Sequence, residues 1–221
     1  MIQVKKFAEL SDYDVIWDAM KQFTDARTDE TPDQIWQVEH QPVYTLGQAG
    51  KPEHILNPGQ IPIVHCNRGG QVTYHGPGQV VVYPLLRLSR YKIFVKEYVE
   101  SLEDAIIATL AHFGIPNACR KDKAPGVYVP IEGIAGDGLA KIAALGVKIT
   151  KGYSYHGLAI NVAMDLEPFL GINPCGYEGL RTIDMKSLGI KATVGEVSDK
   201  VVEELQKIFR VKLALAQQGA A

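Results

Sequence analysis

The sequence predicts an α+β fold with mixed or largely antiparallel sheets. Short apolar or alternating runs come in groups, amphipathic runs flank those groups instead of alternating with them, and glycine and proline punctuate the joins. Ser11-Asp12-Tyr13-Asp14 has the form of a capping box and opens a helix with Val15, Ile16, Met20 and Phe23 on one face. Gln34–His40 and Val43–Leu46 read as strands. Ile61–Cys66 reads as a strand going in and Val80–Leu86 as a strand coming out of a hairpin that turns at Gly76-Pro77-Gly78. A second helix runs from about Lys92 to Phe113, with Phe94, Val95, Tyr98, Leu102, Ala105, Ile106 and Leu110 as its apolar stripe and Gly114 as its stop. Gly126–Pro130, Lys141–Thr150 and Tyr155–Ala163 read as strands; Leu158, Ile160 and Val162 alternate as a half-buried strand requires. A last helix spans about Val197–Leu213, with Val201, Leu205, Ile208 and Phe209 inward, and Gln217–Ala221 reads as a frayed tail. No repeat, low-complexity stretch or linker divides the chain, so residues 1–221 read as one domain.

At 221 residues, 46% hydrophobic and 22% charged, the chain can bury one full core. A net charge of −2 excludes nucleic-acid binding by bulk charge. Lys121, Lys123, Lys148 and Lys151 supply either a local basic patch for an acidic partner or simply a wet surface. No apolar run reaches the length of a membrane span and Met1–Lys6 lacks a signal-peptide core, so a cytoplasmic location is expected. Three cysteines, Cys66, Cys119 and Cys175, have no paired spacing, which fits a reducing compartment and no disulfide framework. Neither a metal-ligand spacing nor a nucleotide fingerprint is present, so no metal is expected.

The segment Arg68-Gly69-Gly70-Gln71-Val72-Thr73-Tyr74-His75-Gly76-Pro77-Gly78-Gln79 is the densest in polar side chains and glycines. It is either a cradle for a ligand, because glycine lets backbone approach a bound group, or a hairpin whose glycines serve only the turn. Asn173-Pro174 and Gly176 set Cys175 in a tight loop, where a cysteine is either a nucleophile or a small packing residue. Cys66 ends an apolar strand and Cys119 precedes a lysine-rich turn; both read as packing residues. Lys141 stands where the loop Glu132–Gly138 meets the apolar run Ile142-Ala143-Ala144-Leu145, as a partly buried amine or a surface charge. Either His75 or His156 could be the base of a Cys–His pair, and His156 could equally be a hydrogen-bonded core residue.

Taken with Pro42-Val43-Tyr44-Thr45-Leu46-Gly47-Gln48 upstream, the Arg68–Gln79 segment closely resembles the lipoyl(octanoyl) transferases. Lys141–Gly146, Tyr155-His156-Gly157-Leu158-Ala159 and Asn173-Pro174-Cys175-Gly176 follow in that family's order, so the resemblance runs from about Val38 to Gly189. It implies the catalytic domain shared by biotin and lipoate ligases. It implies transfer of an octanoyl or lipoyl group from acyl carrier protein to a lysine on lipoyl domains of oxo-acid dehydrogenase complexes and on the glycine cleavage H-type protein, with no cofactor. Cys175 then carries the acyl group as a thioester, a sensible relay because thioester exchange is nearly isoenergetic and the product stays reactive to amines. Lys141 is implied to lower the Cys175 pKa, which for a free thiol is about 8.5, and to act as general acid and base. The implied substrate contacts are Arg68–His75, Ala144, Leu145, Gly146, Gly157, Leu158 and Ala159, whose small residues leave a slot for a straight alkyl chain. Glu132–Asp137 and the chain after Gly189 carry no motif of the family. The competing expectations are an ATP-dependent ligase, a protein that only binds lipoylated domains, and a cysteine hydrolase.

Overall fold

The computed structural model describes residues 2–122, 124–133, 137–174 and 179–218. In chain order these form β1 (Gln3–Lys6), α1 (Tyr13–Asp25), β2 (Gln34–Val38), β3 (Val43–Leu46), β4 (Ile63–His65), β5 (Val72–His75) and β6 (Gln79–Leu85). They continue with α2 (Val95–His112), β7 (Val127–Pro130), β8 (Leu139–Thr150), β9 (Tyr153–Asn161) and α3 (Val194–Gln218). Six strands make one sheet in the order β1-β2-β6-β9-β8-β7, and three make a second in the order β4-β3-β5. β1 runs parallel to β2 and β4 parallel to β3, while the other pairings are antiparallel. The expected α+β class with mixed sheets is what the chain adopts.

Strand alternation distributes the core over both faces of the large sheet. Val80 and Val82 of β6, Leu158 and Ile160 of β9 and Ile142 of β8 meet Leu102, Ile106 and Leu110 of α2 and Val201, Leu205 and Phe209 of α3. Val81, Tyr83 and Leu85, with Tyr155 and Ala159, face the other way onto Ile16 and Met20 of α1. Each fully buried side chain of this size contributes about 1.5–3 kcal/mol. β9 is therefore buried along all nine residues, not half-buried as its alternation suggested. The alternation sorts its side chains between two cores instead of between core and water.

The expected hairpin is not formed. β5 pairs with β3 in the small sheet, whereas β6 lies between β2 and β9 in the large one. Gly76-Pro77-Gly78 thus carries the chain from one sheet to the other. The reason lies in β6, whose seven residues are all buried; such a run takes a central place with partners on both edges. Ser11 does not cap α1. Its hydroxyl donates to the Glu9 carbonyl and its backbone bridges to Glu39 and Gln41, so the helix starts after Asp12 with no side-chain cap. Tyr13, Ile16, Met20 and Thr24 form the buried face of α1, and Val15 is 64% exposed. Phe94 precedes α2, 81% exposed, and Val95 is exposed too, so the buried stripe begins at Tyr98.

Candidate active site

One cavity lies between the α1 side of the large sheet and the small sheet. β8 contributes Lys141, Ala144, Leu145 and Gly146, and β9 contributes His156, Gly157, Leu158, Ala159 and Asn161. The small-sheet side brings Arg68, Gly70, Gln71, Val72, Thr73 and His75. Strand register explains why the two small-residue segments meet, since Ala144 pairs with Ala159, Leu145 with Leu158 and Gly146 with Gly157. Of the residues singled out from the sequence, fourteen named here and in the preceding sentences line this single cavity, although they come from three separate segments. Gly69 and Tyr74 do not. The Gly69 amide donates to the Val147 carbonyl at 2.9 Å, and Tyr74 packs with Tyr44 and Phe169 in the core of the small sheet. Cys175 lies outside the described residues; Pro174, which precedes it in the chain, lines the cavity.

Lys141 is only 4% exposed. Its backbone is gripped on the edge that β9 leaves open, with its N–H donating to Arg181 O at 2.8 Å and its carbonyl accepting from Ile183 N at 3.0 Å. The Nζ donates to Pro125 O at 3.0 Å. The expectation of a partly buried amine understates the burial. Gly157 serves a purpose other than widening the slot, because a Cβ there would come within 2.2 Å of the Val82 carbonyl. Its small size allows β6 to approach; Ala144 and Ala159 keep the slot open.

Far along the strands from Lys141 sits a buried polar cluster. From β8 position 141 to 146 the strands advance about 3.3 Å per residue, roughly 16 Å. There the Arg68 guanidinium, 7% exposed, donates to Thr45 O at 2.6 Å, Thr45 Oγ1 at 2.8 Å, Gln71 O at 2.8 Å and Gly69 O at 2.9 Å. All these acceptors are neutral, and among the described residues no carboxylate forms an ion pair with it. Around it Tyr13 stacks on His75 at 5.8 Å and on His156 at 6.4 Å between ring centroids, with His40 at 5.2 Å.

Hydrogen bonds fix the histidine tautomers. Asn67 Oδ1 accepts from the Trp17 indole, so it must also accept from His156, whose Nε2 carries the proton at 3.0 Å. Gln79 donates its amide to Asn161 Oδ1, leaving its own oxygen to accept from His75 Nδ1 at 2.7 Å. His40 Nδ1 donates to Ser11 O, and its Nε2 accepts from the Tyr83 hydroxyl at 2.8 Å. Burial is the main force on all three rings, with the neighbouring cations and imidazoles adding to it at His75 and His156. His75 and His156 are pushed down to about 3 and His40 to about 4. Burial likewise holds the Tyr13 and Tyr83 phenols well above their ordinary range. His156 is buried and hydrogen-bonded, as one of its two readings has it, and neither it nor His75 is matched to proton transfer near neutrality.

Tyr13, Gln79, Val81, Tyr83, Asn161, Phe169, Pro174 and Thr182 also line the cavity and were not singled out as site residues from the sequence. Gln79 and Asn161 carried a usable signal, as polar residues at the ends of apolar strands whose alternation points them inward. Tyr13 was hidden inside a false capping box. The expected basic patch is smaller than its lysines suggested. Lys121 forms an ion pair with Asp137 at 2.7 Å, Lys148 Nζ donates to Gln48 Oε1 at 3.4 Å, and Lys123 lies outside the described residues.

A family model described as the lipoyl protein ligase A/B catalytic domain matches residues 12–206. A protein of Bordetella petrii named Octanoyltransferase is 61% identical over 202 residues, 91% of this chain and 94% of its own length. One of Bordetella bronchiseptica with the same name is 59% identical over 218 residues, covering 99% of this chain and 97% of its own. Among solved structures, a chain of the bipartite lipoate protein ligase and E2 lipoyl domain system of Thermoplasma acidophilum superposes with a TM-score of 0.73. It covers 99% of this chain and 92% of that one at 12% identity, a likeness of fold alone.

Proposed function

This chain belongs to the lipoyl protein ligase A/B catalytic domain family and transfers octanoyl groups in protein lipoylation, and we propose that it does so through a thioester on Cys175. In this reading residues 1–221 form one catalytic domain working in the cytoplasm, where free thiols stay reduced. The donor is octanoyl-acyl carrier protein. The acceptor is a lysine on a lipoyl domain of an oxo-acid dehydrogenase complex or on a glycine cleavage H-type protein. The Cys175 thiolate attacks the donor carbonyl, its S–C bond forms, and the carrier sulfur leaves with a proton from the Lys141 ammonium, which leaves Lys141 neutral. The neutral acceptor amine then attacks octanoyl-Cys175, the amide forms, the Cys175 thiolate departs, and the amine's surplus proton passes to Lys141 or solvent. The thioester already stores the activation, so the scheme includes no nucleotide or metal.

The observation that carries this reading is the shared cavity. A buried lysine, the residue before Cys175, and two facing segments of small residues all line it. An ammonium within several ångströms of a thiol favours the thiolate, and the narrow strand-walled slot suits a straight alkyl chain. Arg68, Gly70, Gln71, Val72, Thr73 and His75 supply the opposite wall. The histidines, held neutral, argue against a Cys–His pair.

Intact-mass measurement after incubation with octanoyl-acyl carrier protein, the acceptor withheld, tests the proposal. One octanoyl increment is expected, mapped by peptide analysis to Cys175 and discharged when a lipoyl domain is added. Cys175→Ala should lose transfer by several orders of magnitude, as nucleophile removal does. An increment on Cys66 or Cys119, ATP-dependent transfer by the alanine variant, or release only as free octanoate would each overturn it.

A further inference from the structure

We propose that Tyr128 on β7 and Gly126 just before it are positioning residues that aim the Lys141 ammonium, an inference that rests on the role of Lys141 given above. β7 and β8 do not pair in a plain ladder. Tyr128 partners Lys141 but Val127 partners Ala143, so Ile142 is the extra residue of a β-bulge. A bulge bends its strand and redirects the side chains beside it. Ile142 keeps its place in the core, 0% exposed, while Lys141 turns toward the cavity. The redirected side chain needs room, and Gly126 provides it. A Cβ built there would stand 2.6 Å from Lys141 Cε and 2.9 Å from Lys141 Nζ, on a backbone with φ of +142°.

What receives the ammonium is also supplied by this edge of the sheet. The Pro125 carbonyl accepts from Nζ at 3.0 Å, and the Tyr128 ring centroid lies 5.4 Å from it. Both contacts suit a cation, since a carbonyl oxygen accepts and a ring face attracts positive charge within about 6 Å. The Tyr128 ring is itself fixed, 0% exposed, with its hydroxyl donating to Ala124 O at 3.1 Å. Three features within residues 125–128, at the start of β7, therefore set where the charge sits: the Pro125 carbonyl, the missing Cβ of Gly126 and the Tyr128 ring. Arg68–His75 and the other small-residue segments play no part in this cradle.

The test is the pH dependence of Cys175 alkylation by iodoacetamide, with octanoyl transfer measured alongside, in Lys141→Ala, Tyr128→Phe, Tyr128→Leu and Gly126→Ala. Tyr128→Phe keeps the ring face and should match the wild type. Tyr128→Leu removes it and should slow neutral-pH alkylation about 2- to 30-fold, the span of a cation–π contact, with recovery as pH rises. Gly126→Ala drives a methyl into the lysine side chain and should move the profile toward that of Lys141→Ala. A merely structural lesion would not shift the pH midpoint and be rescued by phenylalanine. If Lys141→Ala shifts the profile while Tyr128→Leu and Gly126→Ala leave it at the wild-type position, the cradle is overturned and the role of Lys141 stands. If Lys141→Ala itself keeps the wild-type profile, that role falls and the cradle with it. Should Tyr128→Leu fail to fold, Gly126→Ala decides by the same two outcomes.

Discussion

The two ends of the cavity bury nitrogen bases in opposite ways. At one end Lys141 is held by a carbonyl and a ring face, contacts that a cation makes well. At the other, His40, His75 and His156 are held neutral, each pushed to about 3 or 4 mainly by burial. The imidazoles hydrogen-bond to amide oxygens, phenols and one another's neighbours, all satisfied by a neutral ring, and the nearby Arg68 charge opposes a second cation. Burial is the largest influence holding the three rings neutral, and the Arg68 charge adds to it at His75 and His156. The cavity has a buried lysine at one end and a cluster of neutral rings at the other.

The strongest way to break this contrast is to remove each end in turn. Lys141→Ala should lower octanoyl transfer by about 10²- to 10⁴-fold, the usual cost of losing a positioned acid–base group. His156→Gln should leave the pH–rate profile in place, because a ring neutral down to about 3 contributes no limb near 6.5. Steady-state rates between pH 5 and 9 distinguish the two. A limb near 6.5 that disappears in His156→Gln would merge the ends and return the histidine to the chemistry. Lys141→Arg sharpens the contrast further. It keeps charge but loses the ability to give up a proton, and it must also fit where the lysine chain already fills the space beside Gly126. Loading without onward transfer is the expected pattern.

The second prediction follows from the neutral end. A histidine near 3 or 4 when folded and near 6.5 when unfolded has a depressed folded pKa. Its stabilisation is present above about 6.5 and is lost as pH falls through that window toward 3 to 4. Three such groups give a stability that falls with acid by up to about 4 kcal/mol per pH unit near pH 5. Urea unfolding at pH 7, 6 and 5 measures that slope. His75→Gln should reduce it by about one proton's worth, about 1.4 kcal/mol per pH unit. An unchanged slope would mean that the His75 ring is protonated in the folded protein.

The contrast also explains what could be read from the sequence. The small-residue walls were legible because Ala144–Gly146 and Gly157–Ala159 sit in strand-like runs, and period-two alternation puts such segments on a face. Their meeting was not legible. It depends on β8–β9 register, set by a hairpin whose tip at Lys151-Gly152 was never identified. The hairpin that was expected failed because glycine and proline announce a turn without saying which sheet receives the chain. Local signals were misassigned in both directions. Ser11 looks like a cap and spends its hydroxyl elsewhere, while Thr193 and Glu196 form the reciprocal box that opens α3 three residues before the expected start. The histidine cluster was out of reach, since His40, His75 and His156 lie on different segments and meet only in the fold, through the rings of Tyr13 and Tyr83 and the direct His40–His75 contact.

The smallest expected effect concerns the slot between the ends. Ala159 is 3% exposed, pairs with Val81 on one side and Ala144 on the other, and lines the cavity midway between Lys141 and His156. A leucine there adds three carbons to a wall whose backbone is hydrogen-bonded on both edges and cannot retreat. Part of the added volume must then enter the slot. Overpacking of this kind costs about 1–3 kcal/mol, which falls on the protein when the slot is empty and on the acyl chain when it is full. Donors with four- or six-carbon chains should transfer at close to the wild-type kcat/KM, because they stop short of the obstruction. Octanoyl transfer should fall about 10-fold or more, the equivalent of 1.4 kcal/mol. A ladder of acyl chain lengths assayed on the variant measures this directly. If all lengths fall together, the substitution has damaged the Lys141 end or the fold; if none falls, Ala159 does not border the chain. Only a length-dependent loss locates the slot between the charged end and the neutral one.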